Sequence, residues 1–297
     1  MKNKFNLVVY LLVILTSLSF SQPILERYNN LGKMYVEEFS SAPFPHIERE
    51  NGHFYNNVSY PKDTHYNDSS VAIFIPKGFK QTSATNFVVY FHGWYNNIDS
   101  SCIQHNIIEQ FSESNKNAIF IFPEGPKNAP DSFGGKLEEK YGLKNLINDV
   151  AQFLLKKGEI NSTQVGNIIL AGHSGAYRVI SFCLMRGGLT PNISDVILFD
   201  ALYGDTEKYA YWIDNFNGRF INIYTNDGGT KYESQNLMDD FVGWEIPYFQ
   251  TAENELKIDD LTNNRLIFIH SDLSHNEVIA KHNQFYKFLK TSKIGGK

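Results

Sequence analysis

From about residue 70 to 290 the chain alternates two hydrophobic patterns. Short continuous apolar runs have the length and the β-branched and aromatic content of buried strands. They are Val71–Ile75, Phe87–Phe91, Ala118–Phe122, Ile168–Ala171, Val196–Phe199, Phe220–Tyr224 and Leu266–His270. Between them lie stretches with 3.6-residue apolar spacing. Ile103, Ile107, Ile108 and Phe111 mark a helix from about Ser101 to Ser114; Leu143, Leu146, Ile147, Val150 and Leu154 mark another. Further helices are predicted at Ala176–Met185, near Glu207–Phe216 and at Asn276–Lys290. All-apolar strands alternating with amphipathic helices predict an α/β fold, doubly wound, with a mostly parallel sheet and helices on both faces. Residues 228–264 are less regular. Residues 22–68 read as an irregular aromatic segment broken by Pro43, Pro45 and Pro61. No repeat or linker divides residues 22–297, which read as one domain.

The first 21 residues follow another pattern. Lys2 and Lys4 precede the apolar stretch Leu7 to Leu15, and Ser19-Phe20-Ser21 offers small residues where a signal peptidase reads. Residues 1–21 are therefore expected to be a signal peptide, with Gln22 as the mature start. No later apolar run approaches the roughly 20 residues of a membrane span. A secreted or periplasmic protein is expected, with no stable membrane anchor after signal removal.

Composition narrows the chemistry. The 297 residues are 42% hydrophobic and 20% charged, an ordinary globular balance. With 27 basic against 32 acidic residues and no basic block, a nucleic-acid partner is not expected. Cys102 and Cys183 fall on predicted helices without a CxxC partner or a basic neighbour, so both read as buried free thiols. His46, His53 and His65 lack the paired spacing of a metal site, and no zinc, calcium or phosphate-loop motif occurs. No metal and no cofactor are expected.

The most informative segment is Gly172-His173-Ser174-Gly175-Ala176, which follows the apolar run Ile168–Ala171 and opens a predicted helix. Small residues two before and two after Ser174 let strand and helix approach while the hydroxyl projects above the sheet. The same turn places the backbone N–H of Gly175 at a helix N-terminus, where an oxyanion can form.

With Tyr90-Phe91-His92-Gly93-Trp94 after an early strand and a late His after the last one, this elbow resembles the α/β-hydrolase superfamily, in particular its esterase- and lipase-like members. The resemblance covers about residues 70 to 290. It departs from the commonest pattern at Ala176, where glycine is usual, and in the single His92-Gly93, where a longer glycine run is common. It implies a Ser-His-Asp triad with Ser174 as nucleophile. His275, in the loop between the last strand and the closing helix, is the expected base, because that loop folds back over the carboxyl edge of the sheet. The orienting acid is Asp200 or Asp227, each at the carboxyl end of a predicted strand. Asp200 sits flush with its strand in an apolar setting where a carboxylate needs a partner. Asp227 precedes Gly228-Gly229, a turn in which aspartate often bonds backbone. Asp200 is the preferred assignment and Asp227 the alternative.

The second oxyanion N–H is expected from Trp94, with His92 bracing that loop. Glu124 reads as a solvent-facing turn carboxylate. The expected activity is a serine hydrolase, most simply a carboxylic-ester hydrolase acting on a small-molecule or polysaccharide-linked ester. A peptidase or amidase with the same triad and a non-catalytic binding protein of the same fold are the alternatives.

Overall fold

The computed structural model describes residues 24–297; the expected signal peptide lies outside them. The strands are β1 (Gly32–Glu38), β2 (His53–Tyr55), β3 (Val58–Tyr60), β4 (Ser70–Pro76), β5 (Thr85–Phe91), β6 (Ile119–Pro123), β7 (Val165–His173), β8 (Ile193–Phe199), β9 (Arg219–Thr225), β10 (Phe249–Ala252) and β11 (Leu266–Ser271). Nine of them form one sheet in the order β1-β4-β6-β5-β7-β8-β9-β11-β10, and β2 and β3 form a separate antiparallel pair. Every pairing from β6 through β10 is parallel; only β4 runs against both its neighbours. The expected mostly parallel α/β architecture is present.

The continuous apolar strands are explained by burial on both faces. In β5, Phe87, Val89 and Phe91 enter one core while Val88 and Tyr90 enter the other. The first core takes its helical side chains from Gly142–Lys156, Tyr177–Arg186, Thr206–Asn215 and Lys231–Gly243. The second takes them from Ile98–Gln104, Ile107–Glu113, Ile258–Asn263 and Gln284–Lys290. Cys183 lies in the first core and Cys102 in the second, both free, with the sheet between them.

Several elements differ from the sequence expectation. Residues 22–68 are not irregular throughout: β1 adds an antiparallel edge to β4, and β2–β3 make a hairpin. Of β1 only Met34 is buried, so its sequence carries little apolar signal. The helix expected over Ser101–Ser114 is two helices, because Asn106 takes a left-handed φ of 48° that no α-helix can continue through. The closing helix begins at Gln284, not Asn276, again after a left-handed residue, Asn283. Residues 275–283 are instead a run of turns, pinned where Ser274 N and Oγ both donate to Glu277 Oε2.

The sheet topology decides where chemistry can sit. From β5 the chain crosses to β6 on one side, then returns to β7 and proceeds through β8, β9 and β11 on the other. Parallel strands bring the loops after β5, β6, β7, β8, β9 and β11 to one edge. The crevice where strand order reverses, between β5 and β7, is where open α/β sheets bind ligands.

Candidate active site

Ser174 occupies that crevice. It follows β7 with φ +55°, a left-handed conformation that costs an L-residue roughly 1–3 kcal/mol and persists only where its surroundings impose it. A short 3-10 turn, Ser174–Ala176, then leads into the helix Tyr177–Arg186. The small flanking residues are required by contact. A Cβ on Gly172 would lie 2.5 Å from Ala176 Cβ and 2.8 Å from Ile180 Cδ1. Alanine in place of the usual glycine at 176 is accommodated because position 172 has no side chain.

The loop after β5 rests directly on this turn. A Cβ on Gly93 would lie 2.5 Å from Ser174 Cβ, and one on Gly175 would lie 2.6 Å from Trp94 Cδ1. Trp94 donates from Nε1 to Ser132 Oγ at 2.8 Å. His92 ties the loop down: Nδ1 donates to the Gly93 carbonyl at 2.7 Å, and Nε2 lies 2.9 Å from Glu124 Oε1. Glu124 is thus buried and paired, not a solvent-facing carboxylate, and its Oε2 also accepts from Ile98 N. The β6 strand end tucks it under the loop, a placement that depends on β6 lying beside β5.

Two strands along, His275 Nδ1 donates to Asp200 Oδ2 at 2.6 Å. Asp200 directly follows β8 with φ +45° and is fully buried. It also accepts from Thr225 N at 3.0 Å, Thr225 Oγ1 at 2.7 Å and Thr230 Oγ1. Burial alone would raise its pKa, but the hydrogen bonds from His275, Thr230 and Thr225 outweigh it and hold the carboxyl below the usual range. Asp227 is exposed in the turn beyond β9, and among the described residues His275 bonds to Asp200 rather than to it. His270 lies 3.0 Å from Asn226 Oδ1 and His282 2.7 Å from Glu253 Oε1, both apart from this pair.

Sequence reasoning missed Thr225, Thr230 and Tyr203. Tyr203 donates its hydroxyl to Gly228 O, and its ring meets His275 edge-on with centroids 6.4 Å apart. Burial and then the Asp200 charge push its pKa up to about 12, so it stays a donor at any ordinary pH. Trp94, Ser132, Ser174, Gly175, Tyr177 and Tyr203 line one open cleft of about 340 Å³. The segment 232–252 takes no part in it: the helix Lys231–Gly243 packs Leu237, Met238 and Phe241 on the sheet. Among the described residues no cluster of histidine, cysteine and acidic side chains is arranged to hold a metal.

No protein-family model and no curated protein matches this sequence. Solved structures do. A substrate-bound, fluorophosphonate-binding serine hydrolase of Staphylococcus aureus superposes with a TM-score of 0.53 at 10% identity, over 88% of this chain and 99% of that one. A feruloyl esterase module from Clostridium thermocellum gives 0.54 at 10% identity, covering 90% of each chain. Carboxyl esterase 2 of the fungus Tuber melanosporum gives 0.50 at 10% identity, over 96% and 97%. At such identity the likeness speaks for architecture. With its sheet order and these neighbours, the chain has the α/β-hydrolase fold.

Proposed function

We propose that this protein is a serine hydrolase that cleaves carboxylic esters through an acyl-enzyme on Ser174. The observation that carries the reading is the 2.6 Å bond from His275 to a fully buried, fourfold hydrogen-bonded Asp200, at the same sheet edge as a serine held at left-handed φ. With Nδ1 donating to Asp200, the His275 Nε2 lone pair is the free base. It takes the Ser174 proton as Oγ attacks the ester carbon. The tetrahedral oxyanion is received by the backbone N–H groups of Gly175 and Trp94. His275 then protonates the departing alkoxide, leaving the acyl group on Ser174, and water repeats the sequence to release the acid. Asp200 stays ionised throughout and stabilises the imidazolium.

An ester is favoured over an amide because an alkoxide leaves with less protonation help than an amine. The walls formed by Trp94, Tyr177 and Tyr203 suit a planar acyl group, such as a hydroxycinnamoyl ester carried on a polysaccharide. The feruloyl esterase module among the structural neighbours supports that choice. Export follows from the Lys2-to-Ser21 pattern, and no described helix is long and apolar enough to cross a membrane.

The test compares turnover of a chromogenic short-chain ester and of methyl ferulate by the protein and by Ser174→Ala. Loss of roughly a million-fold in kcat is expected. A fluorophosphonate probe should add its mass at Ser174. A variant as active as the parent sinks the assignment, and a clean mass after long incubation favours a binding protein without catalysis.

A further inference from the structure

The turn that exposes Ser174 sends the preceding side chain, His173, into the second core beside His275. Its Nε2 lies 2.9 Å from the His275 carbonyl oxygen. A carbonyl only accepts, so His173 donates from Nε2. The two imidazoles also lie against each other at a tilt, with centroids 4.5 Å apart and 31° between planes. On its far side His173 meets the buried ring of His105 at 5.2 Å, just past the helix Ile98–Gln104.

We propose that His173 is a positioning residue for His275, holding its backbone through one hydrogen bond and its ring by close tilted contact; the inference rests on the proposed role of His275 as base. His275 needs such support because it stands in a run of turns and no helix or strand fixes it. The bond to Asp200 secures one ring atom and leaves the ring free to swing about it. His173 supplies the missing restraints from the end of β7, the residue next to the nucleophile. Nucleophile and base are thereby referred to one rigid strand, so a shift of the β11 loop cannot separate them without breaking the His173 contacts.

The same arrangement suits the charge that forms during acylation. His173 is buried; burial, then the neighbouring His275 and His105, push its pKa down to about 3, against smaller opposing effects of its bond to the His275 carbonyl and of Asp200. It therefore meets the His275 imidazolium as a neutral ring, whose face attracts a cation instead of repelling it.

The experiment begins with the unaltered protein. Nitrogen chemical shifts of its labelled histidines should show His173 protonated at Nε2 and not titrating between about pH 5 and 9. An Nδ1–H tautomer, or a His173 that titrates in that window, overturns the proposal, and this measurement stands even if a variant fails to fold. His173→Phe keeps a ring without the donor, His173→Gln keeps a donor without the ring, and His173→Ala removes both. The Phe and Ala variants should lose about ten- to a hundredfold in kcat with KM within about twofold, and Gln should recover part of the loss. The far-downfield proton resonance of His275 Nδ1–H should weaken in Phe and Ala and persist in Gln. An Ala variant with unchanged kcat and unchanged resonance also overturns it. If Ser174→Ala loses nothing, the hydrolase reading fails by itself, while the His173 tautomer and the His275 resonance still decide the positioning role.

Discussion

Four donors converge on Asp200, and three of them come from Thr225 and Thr230, which flank Asp227 in sequence. Read along the chain, those threonines belong to the Asp227 turn. In the fold they serve the carboxylate on the next strand, because β8 and β9 pair with Phe199 opposite Ile223. That is why both acids were equally visible in the sequence and only apolar context separated them. Gly228 completes the enclosure: a Cβ there would lie 1.7 Å from Asp200 Oδ2. Under the proposed mechanism Asp200→Asn should keep the fold and lower kcat by up to roughly four orders of magnitude, since the amide cannot hold the needed tautomer or stabilise the imidazolium. Asp227→Asn, at an exposed position, should change activity by less than about tenfold. Steady-state kinetics on both variants check this, and the reverse ranking moves the role to Asp227.

At the scale of elements, legibility followed burial. The seven strands read from continuous apolar runs are all in the sheet, since strands covered on both faces have no reason to alternate. The elements missed include those with one face or one edge in solvent: β1, the β2–β3 hairpin, the four-residue β10, the helix Ile258–Asn263 and the helix Lys231–Gly243, whose apolar residues are diluted by exposed polar ones. The strand–turn–helix elbow was legible because it joins a buried strand to a helix through residues that must be small. Gly172→Ala tests that packing directly. Its new methyl would press on Ala176 Cβ and Ile180 Cδ1, and overpacking of this kind costs about 1–3 kcal/mol. A lower denaturant midpoint is expected, together with weaker ester turnover as the Ser174 backbone relaxes. Unchanged stability and rate would show that the elbow has slack that the contact distances do not indicate.

The whole molecule couples its stability to pH through the imidazoles behind the site. Burial, followed by the His275 charge, lowers His105 to about 4, and His173 lies near 3. In the unfolded chain both titrate near 6.5. Below about pH 6.5 the unfolded chain therefore binds protons that the folded one refuses, so the stabilisation present above that pH is lost as pH falls toward the folded values. Each histidine contributes at most about 1.4 kcal/mol per pH unit within that window. The paired carboxylates act lower down: hydrogen bonds and the cations Lys127 and Arg49 overcome the effect of burial on Asp68 and Asp131, holding both below the usual range. They start to lose stabilisation only below about pH 4. Urea midpoints should consequently fall between about pH 7.5 and 5, a range in which carboxylates of ordinary or lowered pKa release almost nothing. His105→Phe removes one of the two groups while leaving the His173–His275 contact in place, and its ring fills a similar volume in a buried site where, among the described residues, Nδ1 has no partner. The variant should show a clearly shallower decline over that range than the parent. Equal slopes in the two proteins would mean that His105 binds as many protons folded as unfolded over that range, and it would not be a source of the acid sensitivity.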